Sequence, residues 1–204
     1  MGQVQIIVDG MTGSGKTTLA NLLQERLNLT LMPEEFRDPY NLLDRFSKDR
    51  WWSYPMQLNF LITRFVQYLV ASENDNYLLD RSFYSDYVYA DLYHKLNYLT
   101  DKQFNAYADL FNSLSDFIMP PRCFVLLNCS FSEIMKRIEN RGREDELRIE
   151  ESYWQSLYAA YQSYVERIAE NYGDKILFID SEKYNFAVNN NHVNEVLEII
   201  EKTF

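Results

Sequence analysis

Residues 10–17 read Gly10-Met11-Thr12-Gly13-Ser14-Gly15-Lys16-Thr17, a full match to GxxxxGK[ST]. Glycines let backbone N–H groups close around phosphate oxygens where a side chain would obstruct them. The Lys16 ammonium can reach β- and γ-phosphates, the Thr17 hydroxyl can ligate Mg²⁺, and Thr18 follows at the same helix start. The chemistry on offer is binding of a nucleoside triphosphate, with ATP as donor and Mg²⁺ as its counter-ion. A second constellation ends the apolar run Tyr77-Leu78-Leu79 with Asp80-Arg81-Ser82. An acid and an arginine at a strand's carboxyl end put a carboxylate near the metal and a guanidinium near an acceptor. No NKxD base-reading motif is present, and Asp80 is not followed by Glu as in motor ATPases. Phosphoryl transfer between two bound small molecules fits this pattern better than a GTPase or a motor.

These groups need a scaffold that brings strand ends together. Val4 to Val8 reads as a buried strand, Gly10 to Gly15 as a turn, and Lys16 to Leu27 as a helix through Leu19, Leu22, Leu23 and Leu27. Further strands are expected at Leu29 to Met32, Tyr77 to Leu79, Cys123 to Leu127 and Ile176 to Ile179. Helices are expected over 41–48, 53–72, 83–96, 101–118, 131–141, 150–171 and 190–203. Strands alternating with helices imply an α/β fold, a parallel sheet of about five strands wrapped by helices. With no repeat, low-complexity tract or linker, residues 1–204 read as a single domain.

On the third helical segment, Gln57 and Arg64 are seven apart and therefore almost on one face. A Gln amide offers a donor and an acceptor together, suited to a base edge. The segment Arg137-Ile138-Glu139-Asn140-Arg141-Gly142-Arg143-Glu144-Asp145-Glu146 is dense in both charges. It reads either as a solvated helix end or as a mobile lid whose guanidiniums bind phosphate oxygens.

Taken in order, these pieces resemble the deoxyribonucleoside kinases, the group containing deoxycytidine, deoxyguanosine and deoxyadenosine kinases. The likeness rests on the phosphate loop, Pro33-Glu34, Trp52 with Gln57 and Arg64, Asp80-Arg81-Ser82 through Asp86, and the arginine-rich segment. It implies a P-loop kinase fold with a lid over about 137–149, and ATP- and Mg²⁺-dependent phosphorylation of a deoxynucleoside 5′-hydroxyl. Glu34 is then the general base, with Glu35 the alternative, because the family often has Glu-Pro where this chain has Pro33-Glu34-Glu35. Arg81 contacts the 5′-oxygen or the transferring phosphoryl group, and Asp80 with Thr17 holds the metal. An Arg64–Asp86 pair beneath the base resembles members that accept purine deoxynucleosides or deoxycytidine rather than thymidine, unless it is an ordinary interhelix salt bridge. Trp52, Met56, Phe60 and Phe83 wall the base or simply fill the core. Arg137, Arg141 and Arg143 meet the triphosphate, Glu146 meets the sugar 3′-hydroxyl, and Tyr184 with Phe186 cradles the adenine. Phe46 stands where the family places a substrate-binding Tyr: either another Tyr, with Tyr40 and Tyr54 nearby, supplies that hydroxyl, or the 3′-oxygen is held more weakly, or the sugar or acceptor differs. The resemblance also implies a homodimer, for which helices 83–96 and 101–118 could supply the seam. A nucleoside monophosphate kinase resembling thymidylate kinase remains open, with Arg37, Arg45 and Arg50 available for an acceptor phosphate. So does a non-catalytic nucleotide-binding module.

Composition narrows the remaining classes. At 204 residues, 47% hydrophobic and net charge −10, the chain can bury a core but lacks the basic face of a polynucleotide binder. Its 16 tyrosines, 13 phenylalanines and 3 tryptophans suit a core, an interface or a stacking site alike. No run approaches ~18 apolar residues, so no membrane span is expected. The start, Met1-Gly2-Gln3-Val4-Gln5, lacks a secretory signal, which points to the cytoplasm. Cys123 and Cys129 form no metal or redox motif and read as reduced thiols on a buried strand.

Overall fold

Four consecutive buried residues make β1 (Ile6–Asp9), the pattern of a strand covered on both faces. It is the centre of a five-stranded sheet in the order β2-β3-β1-β4-β5, the other strands being β2 (Thr30–Met32), β3 (Tyr77–Asp80), β4 (Cys123–Asn128) and β5 (Ile176–Asp180). Every pairing is parallel, with Ile7 opposite Leu79 on one side and Phe124 on the other. This computed structural model describes residues 2–34, 36–184, 186 and 190–202. The five expected strands are present, each shifted by no more than two residues at either end.

Alternation along the strands divides the core in two. Ile6, Val8, Leu78, Val125 and Leu127 face α1 (Lys16–Leu27) and α9 (Asn190–Glu201), against Leu19, Leu23, Val193 and Val196. Ile7, Leu79, Phe124 and Leu126 face the larger layer built from α3 (Ser53–Ala71), α4 (Asp86–Lys95), α5 (Asp101–Phe117) and α8 (Glu151–Tyr172). Smaller elements complete the chain: α2 (Leu42–Lys48), α6 (Phe131–Arg141) and α7 (Glu144–Leu147). Cys123 and Cys129 are buried, unbonded thiols. Among the described residues no helix is long and apolar enough to cross a membrane.

One local feature departs from the sequence expectation. The helix expected over 83–96 starts late: Ser82 caps a 3₁₀ turn at Phe83–Ser85, and α4 begins at Asp86. The arginine-rich segment starts on the expected helix 131–141 and continues into a second, short helix. α6 carries Arg137 and Arg141 up to Gly142 at φ 68°, and the four-residue α7 follows with Arg143 as its N-cap. The connections leaving β1 and β3 run to opposite sides of the sheet, so their adjacent carboxyl ends open the crevice where α/β folds bind ligands.

Candidate active site

That crevice is a cleft of about 1080 Å³ that runs from the phosphate loop past Glu34 to α3 and α4. Thr12, Gly13, Gly15, Lys16, Thr17 and Thr18 form one end. Gly10, Met11 and Ser14 are the buried backing of the loop. A Cβ on Gly10 would lie 2.7 Å from the Leu127 carbonyl oxygen, and one on Gly13 3.2 Å from that of Ile134 on α6. At both positions the added atom would meet a backbone carbonyl, and φ is positive as well, 150° and 86°, so a side chain is strained there. Gly15 caps α1 without any side-chain bond, so the first N–H groups of that helix stay available to an anion. Lys16 Nζ donates to the Met11 carbonyl at 3.0 Å. Burial, aided by the nearby Arg81 charge, brings its pKa down to about 8.

At the end of β3, Asp80 Oδ2 accepts from the Thr17 hydroxyl at 2.5 Å, while Oδ1 is buried without a hydrogen-bond partner. One carboxylate oxygen and one hydroxyl form a half-shell that suits a hard cation delivered with phosphates, the usual manner of Mg²⁺. Among the described residues no cluster of three or more His, Cys, Asp or Glu side chains could hold a metal unaided.

Glu34, just beyond β2, joins the two ends of the cleft. Its Oε1 accepts from Arg64 Nη2 at 2.6 Å and lies 3.5 Å from Arg81 Nε. Arg64 Nη1 donates in turn to the buried Asp86. Burial alone would raise the Glu34 pKa, but Arg81, Arg64, Lys16 and Arg143 together outweigh it and hold the group at about 2. Asp86 balances the other way: burial outweighs Arg64 and Arg81, and its pKa is pushed up to about 6. Glu35 lies outside the described residues.

Around the base-reading end, Gln57 is 2% exposed with Oε1 unpartnered, and Asp86 Oδ2 is likewise buried without a partner. Buried polar atoms are normally satisfied, so orphans on a cleft wall mark where ligand atoms arrive. Met56 and Phe60 line this end, with Phe36 stacked on Phe60 at 3.7 Å between centroids. Trp52, Phe83 and Phe46 are not on the cleft wall. Phe83 is core, packed on Phe65 and Tyr68. Trp52 lies under the Arg45 guanidinium at 4.7 Å. Phe46 stacks on Tyr93 at 5.1 Å. Neither Tyr40 nor Tyr54 reaches the cleft; its hydroxyls here come from Tyr89 and Tyr93 of α4.

The lid arginines divide into two kinds. Arg137 is an anchor: Nη2 donates to Ser181 O at 2.7 Å, Nη1 to Ser14 O at 3.3 Å, and Nε to Glu133 at 2.9 Å. Arg141 and Arg143 instead converge on Glu146, at 2.5 Å and 3.5 Å. The carboxylate expected on the sugar is thus held by the lid's own cations. Tyr184 and Phe186 line the donor end, with Phe186 7% exposed in the α9 core; Asn185 between them lies outside the described residues.

Of the three arginines available to an acceptor phosphate, none lines the cleft. Arg45 donates to Tyr40 O at 2.9 Å, and Arg50 donates to Phe46 O at 3.0 Å and covers the Phe46 ring.

Sequence reasoning missed Asp9, Tyr89 and Tyr93. Asp9 ends β1 fully buried, accepting from Gly10 N at 2.7 Å and the Tyr164 hydroxyl at 3.2 Å, and burial raises its pKa. An acid closing an apolar strand directly before the loop was its available signal. Asp86, Tyr89 and Tyr93 are spaced i, i+3, i+7, which puts them on one face of α4.

Three comparisons with known proteins bear on the family and the fold. The family model described as Deoxynucleoside kinase matches residues 6–204. A deoxyadenosine kinase of Dictyostelium discoideum is 32% identical over 80% of this chain and 67% of its own. A deoxyadenosine/deoxycytidine kinase of Bacillus subtilis is 31% identical over 78% of this chain and 76% of its own. Among solved structures, deoxyadenosine kinase from M. mycoides with bound dCTP superposes with a TM-score of 0.81 at 21% identity, covering 98% of this chain and all of that one. With the phosphate loop, Glu34, Asp80 and Arg81 gathered in one cleft and a family model spanning nearly every residue, the chain belongs to the deoxynucleoside kinase family.

Proposed function

We propose that this enzyme transfers the γ-phosphoryl group of ATP to the 5′-hydroxyl of a deoxyribonucleoside, favouring a purine base or deoxycytosine over thymine. The observation that carries the reading is the Asp86–Arg64–Glu34 chain, with Arg81 beside Glu34, which ties base recognition to the reacting end.

Glu34 is ionised at any working pH, so it can accept a hydrogen bond from the 5′-hydroxyl and aim an oxygen lone pair at phosphorus. With a pKa of about 2 it is a weak proton acceptor in the ground state. A loose phosphoryl-transfer transition state asks little more of it than orientation, because the hydroxyl proton leaves late. Lys16 and Arg81 supply fixed positive charge where the transferring group gathers negative charge. Thr17 and Asp80 would hold Mg²⁺, which would supply positive charge to offset that of the phosphates. Arg141 and Arg143 would exchange Glu146 for phosphate oxygens as the lid closes, releasing Glu146 toward the sugar and excluding water.

The curated relatives act, by their names, on deoxyadenosine, deoxycytidine and deoxyguanosine, which supports an amino-bearing or purine base here. The commitment of Arg45 and Arg50 outside the cleft disfavours a monophosphate acceptor. Self-association into a homodimer is supported by an unpartnered apolar stripe, Ile62, Val66 and Val70 on α3, beside exposed Phe117 and Met119. That stripe lies on neither helix expected to supply the seam. With this reaction we propose a role in nucleoside salvage, in the cytoplasm expected from the sequence.

Coupled ADP release, measured across the four deoxynucleosides and their 5′-monophosphates, tests the reading. Turnover should be fastest with a purine nucleoside or deoxycytidine. Faster turnover of any monophosphate than of every nucleoside would overturn it.

A further inference from the structure

Arg81 sits one residue beyond β3 with φ at 68°, a left-handed conformation uncommon outside glycine. Its backbone N–H donates to Val8 O at 2.9 Å, which pins the Cα between the two central strands. The side chain, though, has little to hold it. A guanidinium carries five N–H donors. Among the described residues the Arg81 side chain makes one hydrogen bond, from Nη1 to the Tyr89 hydroxyl oxygen at 2.8 Å. Its Nε is buried without a hydrogen-bond partner and meets Glu34 only as a charge at 3.5 Å. The one directional bond on this buried cation is therefore that to the Tyr89 hydroxyl, beside the Glu34 charge and the Tyr89 ring, whose centroid lies 5.6 Å from the guanidinium carbon.

We infer that Tyr89 is the positioning residue for Arg81, setting the guanidinium in the orientation that phosphoryl transfer requires; this rests on the reading that Arg81 meets the transferring group. The chemistry of the contact suits the task. A carboxylate in the place of Tyr89 would neutralise part of the charge that the phosphoryl group is meant to feel. A phenol oxygen accepts the bond and leaves the cation whole.

The Tyr89 ring is itself held. It meets Tyr161 of α8 edge to face at 6.2 Å and 87°, so packing of α4 on α8 sets the hydroxyl's position. Tyr89 lies three residues after Asp86 on α4, and Asp86 binds Arg64. A single turn of α4 thus registers both arginines that flank Glu34, one toward the base and one toward the phosphoryl group.

Tyr89→Phe keeps the ring and its Tyr161 contact and deletes only the oxygen. Losing a hydrogen bond to a charged group at the reacting centre should lower kcat about 10- to 100-fold. KM for ATP and for the acceptor should stay within about threefold, so that the loss falls on kcat. The rates are read on whichever acceptor, nucleoside or monophosphate, the wild-type enzyme turns over best. The acceptor panel thus judges the proposed reaction separately from Tyr89. A double-mutant cycle with Arg81→Lys completes the test: Tyr89→Phe should cause no further loss of kcat once the guanidinium is gone. A Tyr89→Phe enzyme within twofold of wild-type kcat would overturn the inference. So would an equal fold-loss in the wild-type and Arg81→Lys backgrounds, which would mark Tyr89 as merely structural.

Discussion

Asp86→Asn separates two carboxylates that sit on the same arginine. Asp86 is 1% exposed, and burial keeps its pKa at about 6 against the pull of Arg64 and Arg81. Arg64 faces it from α3, Arg81 from the end of β3, Glu34 from beyond β2 and Tyr107 from α5. Glu34 is held at about 2 and stays ionised throughout any practical range. The acid limb of kcat/KM therefore belongs to Asp86: below about pH 6, each further pH unit should cost about tenfold as the pair with Arg64 is lost. In Asp86→Asn the profile should run flat between pH 5 and 7. Its plateau for a purine nucleoside or deoxycytidine should lie roughly 10- to 100-fold below wild type, the worth of a charged hydrogen bond, with thymidine less affected.

The thermal consequence has a definite sign. The folded pKa is above the ordinary 3.8, so between about pH 4 and 6 the folded protein binds the proton more tightly than the unfolded chain. Wild type must then lose stability relative to Asp86→Asn as pH rises through that window. From 3.8 to about 6 the loss is about 3 kcal/mol, or roughly 6–12 °C of thermal midpoint for a chain of this size. Scanning calorimetry at pH 4.5 and 7.5 spans the upper part of that window and should read about 2 kcal/mol of it, roughly 4–8 °C. An acid limb that stays near 6 in the variant, or a stability gap that moves the other way, refutes the reasoning.

Three further outcomes follow from neighbouring geometry. Lys16 carries a pKa of about 8, so kcat/KM for ATP should fall above pH 8; Lys16→Arg should lose that basic limb, and a limb unchanged in the variant would assign it elsewhere. Gly10→Ala drives a Cβ to 2.7 Å from the Leu127 carbonyl at φ 150°, and should weaken ATP binding and cost about 2 kcal/mol or more of stability by chemical denaturation. Val66→Asp puts a charge in the middle of the exposed α3 stripe; sedimentation should show a monomer where wild type is a dimer, while a wild-type monomer would remove the proposed seam.

What the sequence made legible was local. The phosphate loop, Asp80-Arg81 and the Gln57/Arg64 face each lie within one turn or one helix, where spacing alone fixes neighbours. Asp86 was placed by resemblance, but Tyr89 and Tyr93 on the same face of α4 escaped, because spacing within a ring-rich helix does not say which rings line a cleft. Trp52 and Phe46 were placed at the substrate by resemblance, yet arginine and tyrosine partners hold their rings off the cleft wall. Periodicity assigns a ring to a helix face but cannot tell a ligand from another ring. Glu146 shows the same limit in electrostatic form. Its charge was visible, but its partners in this arrangement are Arg141 and Arg143, five and three residues away across a turn of lid.

The role of Glu34 is best tested on the chemical step itself. Rapid-quench measurement of nucleoside monophosphate formation by Glu34→Ala should show a rate at least about 100-fold below wild type, with ATP affinity changed less than about threefold. Near-wild-type formation of product would contradict the assignment and remove Glu34 from the reacting centre.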